Sequence, residues 1–211
     1  MGNKYASIHV YGDDTEKMLN SIKGNYIDED DNMHWNNLLN EMKQTNPEVY
    51  KRLVNLSNQR FGDILLISTD GRISIYDESN SFETIHSKAK KISKKIDSLV
   101  TYTSNFDDDV FIIGVYKSGT PITSGNFGDG LSVYGMKHKD INMDKLCQVL
   151  HINKTEELIS VNSLKNINSI EEIIEKHLKI KLNLYLEEVK SSKAYMAISA
   201  DDIYHTYVSI P

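Results

Sequence analysis

The sequence predicts an α+β fold, in which an antiparallel or mixed β-sheet built from hairpins packs against several helices. Two stretches carry this prediction. Asp63–Tyr76 turns at Asp70-Gly71, and Val110–Thr123 turns at Ser118-Gly119. Apolar residues dominate both sides of each turn, as in β-hairpins. The segment between the hairpins has apolar residues at steps of three and four, which predicts a helix packed on the sheet.

The chain before the first hairpin predicts one strand and three helices. Lys4–Tyr11 alternates strictly between apolar residues and polar or aromatic ones. This pattern predicts a half-buried strand, which Gly12 ends. Helical spacing of apolar residues in 18–22, 35–42 and 49–56 predicts the helices, and the last two form a helical hairpin.

The helix between the hairpins spans Phe82–Ile96, with Ser79 or Ser81 as its N-terminal cap. The face opposite its apolar stripe, which we call the lysine face, carries five lysines. These are Lys88, Lys90, Lys91, Lys94 and Lys95. A short strand is predicted at Leu99–Thr103, before the second hairpin.

The C-terminal part predicts three helices followed by three strands. The third helix opens with Ser169 and Glu172, the spacing of a capping box. The helices are 142–150, 155–161 and 169–178, and the strands are 182–187, 194–200 and 204–210. We expect residues 1–211 to form a single domain, with a boundary near 137–142 as the alternative.

Composition narrows the class of protein. The chain has 211 residues, a net charge of −6 and one cysteine, Cys147. A single cysteine cannot form an internal disulfide, so we expect a reducing cytoplasm. The acidic balance disfavours nucleic acid as a partner, and the sequence has no apolar run long enough to predict a membrane partner. The Asn, Lys and Ile bias is common in proteins from AT-rich genomes, and bacterial origin is suggested by analogy with small, acidic, single-domain bacterial accessory proteins.

Two acidic segments are candidates for binding. Asp107, Asp108 and Asp109 precede the most apolar strand, and adjacent carboxylates repel unless a cation or a basic partner balances them. They form either an acidic binding edge or a set of charges that keeps the aggregation-prone strand after them from associating with other chains. Asp28–Asn32 resembles the start of a calcium loop, but Met33 replaces the required glycine. We therefore expect no metal site there.

The segment Gly125–Gly130 is glycine-rich and is predicted to be a loop. Gly128 would let backbone amides approach a phosphate, with Asp129 beside it. The order of glycines differs from the dinucleotide fingerprint, and no Walker lysine follows. The alternative is a flexible connection. On the lysine face, Lys90 and Lys94 would meet an acidic or phosphorylated ligand, unless this face is only a solvated surface.

Two further groupings have both a chemical and a structural interpretation. Cys147 and His151 share a helix face, as a thiol nucleophile and its base would, but the neighbouring apolar stripe favours a buried structural cysteine. His9 lies on the N-terminal strand, and the last predicted strand carries Tyr204, His205 and Tyr207. If these strands paired, they would form an aromatic and histidine surface.

The sequence contains no catalytic motif, so we assign no catalytic residue, cofactor or metal, and lean toward a protein that is not an enzyme. The leading hypothesis is a cytoplasmic accessory module of the immunity-protein kind, whose acidic surface binds a basic protein. One alternative is a small-molecule or phosphate-binding protein or enzyme that uses Gly125–Gly130. Another is a homo-oligomer that pairs a sheet edge at 122–127 or 204–210.

Overall fold

The computed structural model describes residues 4–14, 64–69, 71–77 and 84–184, together with positions 18, 22, 43–45, 47 and 48. These residues form an antiparallel sheet with helices, which confirms the predicted α+β class. The strands are β1 (Lys4–Tyr11), β2 (Ile64–Thr69), β3 (Arg72–Asp77), β4 (Leu99–Phe106), β5 (Val110–Lys117) and β6 (Thr120–Phe127). The α-helices are α1 (Ile85–Lys95), α2 (Met143–Leu150), α3 (Glu156–Ser160) and α4 (Ile167–Leu178), and 3₁₀ turns cover Leu131–Tyr134 and Val161–Ser163. The predicted helical hairpin and the strands at 194–200 and 204–210 lie almost entirely outside these residues.

Strand β1 lies inside the sheet, whose order is β2-β3-β1-β4-β5-β6. Its residue Ile8 pairs with Ile75 on β3 and with Tyr102 on β4. Both edges of β1 are therefore occupied, so β1 has no free edge for the conditional pairing of His9 with strand 204–210, which itself lies outside the described residues. The prediction of a half-buried strand was wrong. Ile8 and His9 point to opposite faces and each is 0% exposed, because both faces are covered.

Both predicted hairpins are present. Gly71 and Gly119 have φ angles of 68° and 78° in the β2–β3 and β5–β6 turns. Glycine adopts such angles without strain, which explains its place in each turn. Strand β4 extends three residues beyond its predicted end, since it pairs along its whole length with β1 and β5.

The glycine-rich segment is not entirely a loop, and this part of the prediction was wrong. Strand β6 continues through Phe127 and includes Gly125. A Cβ atom on Gly125 would lie 2.7 Å from the Phe127 ring. This glycine therefore permits close side-chain packing inside a strand. The connecting loop begins only at Gly128.

The sheet separates two apolar clusters, one on each face. On one face, α1 buries Ile85, Ala89 and Ile92 against the sheet, as its apolar stripe predicted. On the other face, α2, α3 and α4 pack against β5 and β6. The described residues therefore form a helix–sheet–helix arrangement. None of the described helices is long and apolar enough to cross a membrane.

Two helix starts differ from the predicted ones. Helix α1 begins after Thr84, whose side chain makes no capping hydrogen bond. Helix α4 begins two residues before Ser169, because the Asn166 side chain accepts the Ser169 backbone N–H. The predicted capping box is therefore replaced by an asparagine cap.

Contacts cross the alternative boundary near 137–142. Asn126 and Lys139 exchange both backbone hydrogen bonds, at 2.9 and 3.1 Å. Ile180 and Leu182 are buried in the same cluster as β5 residues. Residues 181–184 are not in a strand, and the rest of the strand predicted at 182–187 lies outside the described part.

Candidate functional site

The three aspartates between β4 and β5 form a tight turn. The Asp109 backbone N–H donates to the Phe106 carbonyl at 3.1 Å. The two central residues, Asp107 and Asp108, have φ angles of 57° and 59°, as a type I′ turn requires. Aspartate tolerates this left-handed conformation better than most residues. The aspartates therefore have a defined place in the hairpin besides their charge.

The loop after β6 packs directly on this turn. Gly130 donates its backbone N–H to the Asp109 carbonyl oxygen at 3.1 Å. Gly128 has φ 111°, and a Cβ there would lie 2.0 Å from the same oxygen. Only glycine fits this contact, so Gly128 and Gly130 hold Asp129 next to the turn. We call Asp107, Asp108, Asp109 and Asp129 the acidic end.

A shallow cavity of about 360 Å³ opens between the acidic end and the start of α4. Asp108 and Asp129 line it on one side. The other side is lined by four consecutive residues, Lys165, Asn166, Ile167 and Asn168. The structure therefore brings together two acidic segments that lie about twenty residues apart in the sequence.

The charges of the acidic end are unevenly compensated. Lys4 forms an ion pair with Asp107 at 3.2 Å, and its ammonium lies 4.3 Å from the centre of the Phe106 ring. Both partners of this ion pair are partly exposed, so it contributes little to stability. Asp109 and Asp129 are exposed and make no ion pair with any described residue. These two carboxylates carry the uncompensated charge.

An exposed apolar side chain lies in the 3₁₀ turn that follows Gly130. Val133 is 79% exposed, more than any other large apolar residue described. Its neighbour Tyr134 packs edge-on against Phe106, with ring centres 5.1 Å apart. This contact joins the 3₁₀ turn to the end of β4 that carries the acidic turn. Apolar residues beside a charged rim are typical of protein interfaces.

A partly buried carboxyl group lies next to the acidic end. Glu171 on α4 accepts hydrogen bonds at Oε1 from the Tyr5 hydroxyl at 2.5 Å and from Asn105 Nδ2 at 2.6 Å. Burial raises the pKa of Glu171, and nearby Asp108 and Glu175 raise it further. The two hydrogen bonds oppose this shift. Burial also raises the pKa of Tyr5, which keeps its hydroxyl a donor.

Ser7 and His9, on the same face of β1 as Tyr5, take part in a buried chain of hydrogen bonds. His9 contacts the Ser74 hydroxyl at 2.9 Å and the Ser7 hydroxyl at 3.2 Å, and Ser7 contacts Thr103 at 2.8 Å. Burial lowers the pKa of His9 to about 3, with a smaller contribution from the charge of Arg72. His9 is therefore neutral and enclosed, which makes it a structural residue here.

The lysine face lies at the opposite end of the sheet. A Cβ on Gly119, in the β5–β6 turn, would lie 2.8 Å from Lys94 Cβ. The eight-residue strand β5 separates this turn from Asp109, a distance of about 25 Å for an extended strand. Lys90 is exposed on the same helix. The structure therefore does not bring Lys90 and Lys94 to the other predicted site residues.

The geometry weighs against anion binding by the glycine segment. The Gly130 N–H is already donated to Asp109, and the carboxylates of Asp108 and Asp129 line the adjacent cavity. A phosphate there would meet two carboxylates, with Lys165 as the cationic residue of the same lining. Gly128 is thus explained by contact between two backbone segments.

Cys147 is packed as the apolar stripe of its helix predicted. It is buried in the cluster beneath α2, and burial raises the pKa of its thiol. His151 is exposed and ends α2 in a left-handed conformation, with φ 54°. A nucleophile needs the thiolate, which this environment disfavours. Within the described ranges, no three His, Cys, Asp or Glu side chains converge to hold a metal ion.

Sequence reasoning found the acidic turn but missed Tyr5, Asn105 and Glu171 as a group. The alternation of β1 placed Tyr5, Ser7 and His9 on one face, which was the available signal. Nothing local indicated that Glu171 would lie 2.5 Å from a residue 166 positions away. Searches against protein-family models, curated proteins and solved structures found no match to this chain.

Proposed function

We propose that this chain is a cytoplasmic, bacterial-type accessory protein that binds a basic protein partner through its acidic end. The observation that carries the proposal is the convergence of Asp109 and Asp129, two exposed carboxylates without a described ion-pair partner. Backbone contacts of Gly128 and Gly130 with Asp109 hold the loop that carries Asp129 against the turn that carries Asp109. Fixed charges of one sign speed the encounter with an oppositely charged surface.

The surroundings of the acidic end fit a protein partner better than a small anion. Val133 supplies an exposed apolar contact near the carboxylates. The cavity between Asp129 and Asn168 would accept a long basic side chain. Interfaces commonly combine an apolar anchor with a charged rim.

A capture experiment with matched variants tests this proposal. The full chain is immobilised, exposed to lysate of its native cells at low salt, and eluted with a salt gradient. The Asp109→Asn/Asp129→Asn variant should lose most of a basic partner, because its acidic end loses two charges. The control Asp13→Asn/Asp97→Asn changes net charge equally and should retain the partner.

The control residues suit this comparison. Asp13 and Asp97 are exposed and flank the Tyr11–Leu99 pair, at the opposite end of β1 and β4. Asparagine also tolerates the φ angle of 51° at Asp97. Equal capture by both variants, or capture that salt does not reduce, would contradict the proposal.

The phosphate-ligand alternative has a separate readout. If Gly125–Gly130 bound an anion, inorganic phosphate or a nucleotide would raise the melting temperature of the chain. We expect no shift, because the Gly130 amide is already used. A saturable shift that is absent from the Gly128→Ala variant would favour the alternative.

The homo-oligomer alternative names two edges, of which 204–210 lies outside the described residues and 122–127 belongs to β6. Pro121 lacks an N–H, and Asn126 already pairs with Lys139. Proline and local pairing are common protections of an exposed strand edge. We therefore expect light scattering to show a monomer at high protein concentration.

A further inference from the structure

Asn105 lies between the acidic end and the partly buried carboxyl group of Glu171. Its Nδ2 donates to Glu171 Oε1 at 2.6 Å and to Asp108 Oδ1 at 3.3 Å. Its Oδ1 accepts the Asp108 backbone N–H at 3.1 Å. Asn105 itself is 1% exposed. One enclosed side-chain amide therefore contacts both the surface turn and the partly buried carboxyl group of Glu171.

The hydrogen bonds to Glu171 allow the carboxyl to change its charge in place. Both Tyr5 and Asn105 donate to the same oxygen, Oε1. A proton would therefore be taken up at Oε2 without displacing either donor. The ionised form makes charge-assisted hydrogen bonds, which are roughly twice as strong as neutral ones.

We propose that Asn105 is a positioning residue that couples the protonation of Glu171 to the conformation of the acidic end. When Glu171 is ionised, it holds the Asn105 amide firmly, and the amide in turn orients Asp108. When Glu171 takes up a proton, the bond to Asn105 weakens and the turn loosens. The consequence for partner binding rests on the proposed function, whereas the coupling itself does not.

The titratable groups around Glu171 set the direction of this pH dependence. Tyr5 faces it from β1, Asp108 from the β4–β5 turn, and Glu175 from its own helix. A cation bound at the acidic end would favour ionised Glu171, and by linkage ionised Glu171 favours the bound cation. Binding of a basic partner should therefore weaken as pH falls through the titration of Glu171.

A titration of the isolated chain by nuclear magnetic resonance tests the coupling without any partner. The Glu171 Cδ resonance reports its protonation, and the Asp108 backbone N–H reports the hydrogen bond to Asn105. In the wild type, we expect the Asp108 amide to show an inflection at the Glu171 midpoint. Glu171→Gln should remove that inflection.

A second variant keeps the test decisive if Glu171→Gln does not fold. Asp108→Asn removes the turn carboxylate at an exposed site where asparagine fits the φ angle of 59°. In this variant, the backbone N–H signal of residue 108 should keep a single inflection, at the pH where Glu171 is half protonated. Loss of that inflection in Asp108→Asn, or its persistence in Glu171→Gln, would overturn the coupling. Either result would leave the capture experiment unaffected.

Discussion

At the scale of single residues, two glycines with positive φ angles have different surroundings. Gly128 would bring a Cβ within 2.0 Å of the Asp109 carbonyl oxygen, whereas Gly135 has nothing within 4 Å. Gly128→Ala should destabilise the chain by roughly 3 kcal/mol or more, because the backbone at Asp109 must move to make room for the added methyl group. Gly135→Ala should lower the free energy of unfolding by only about 1 kcal/mol, because alanine is disfavoured in the left-handed conformation.

Urea unfolding of the two alanine variants measures this difference. Both substitutions add one methyl group at a left-handed position in the same connection. Equal losses of free energy would show that the contact between Gly128 and Asp109 does not constrain the turn.

His9 should make the stability of the chain depend on pH. Its folded pKa is lowered from 6.5 to about 3, so the folded state resists the proton that the unfolded state accepts. The contribution of neutral His9 to the free energy of unfolding is complete above its unfolded pKa of 6.5. This contribution is lost as pH falls from 6.5 toward 3. Compared with His9→Gln, the wild type should lose up to about 1.4 kcal/mol of unfolding free energy for each pH unit of this fall.

Unfolding free energies of the wild type and of His9→Gln, measured across this pH range, check the prediction. Glutamine keeps a hydrogen-bonding group between the hydroxyls of Ser7 and Ser74. A constant difference between the two proteins would mean that His9 does not titrate as a buried group.

At the scale of elements, Glu171 links α4 to β1 and β4 through the hydrogen bonds that it accepts from Tyr5 and Asn105. Its folded pKa is raised above its ordinary value of 4.5, so ionisation is harder in the folded chain. Its contribution is fully present below the unfolded pKa and is lost as pH rises through the folded one. The stability of the wild type should therefore fall with rising pH relative to Glu171→Gln.

The unfolding free energies of these two proteins, compared between acidic and neutral pH, test this sign. Glutamine retains Oε1 as an acceptor for Tyr5 and Asn105 but carries no charge. A difference that grows in favour of the wild type with rising pH would show that Glu171 is stabilised as an anion.

Element types were predictable from local pattern, and several boundaries were not. The apolar stripe of α1 and the turns at Gly71 and Gly119 are local signals, and each was correct. Strand β6 extends through Gly125 because that glycine packs against Phe127, a tertiary contact. The start of α4 differs because Asn166 and Ser169 are both suitable caps, and local sequence does not choose between them.

At the scale of the whole molecule, the sheet order explains which site residues meet. Strand β1 lies between β3 and β4, and these neighbours come from about 60 and 90 residues later in the chain. No local pattern specifies such pairings, so the sequence predicted hairpins but not their arrangement. The same arrangement places the acidic end and the lysine face at opposite ends of the sheet.

The acidic end itself was predictable only in part. Asp107, Asp108 and Asp109 stand out as a run in the sequence, and Gly128 and Asp129 as part of a glycine-rich segment. Their contact depends on the β5–β6 hairpin, which returns the chain to the β4–β5 turn. The role of Asn105 and Glu171 required the position of α4.

The rate of association with the captured partner tests the central claim most directly, namely that the acidic end attracts a basic protein. It is measured for the wild type, Asp109→Asn/Asp129→Asn and Asp13→Asn/Asp97→Asn at low and high salt. We predict that the first variant associates several-fold more slowly at low salt, that the second matches the wild type, and that high salt removes the difference. Equal rates for all three proteins at low salt would contradict the account.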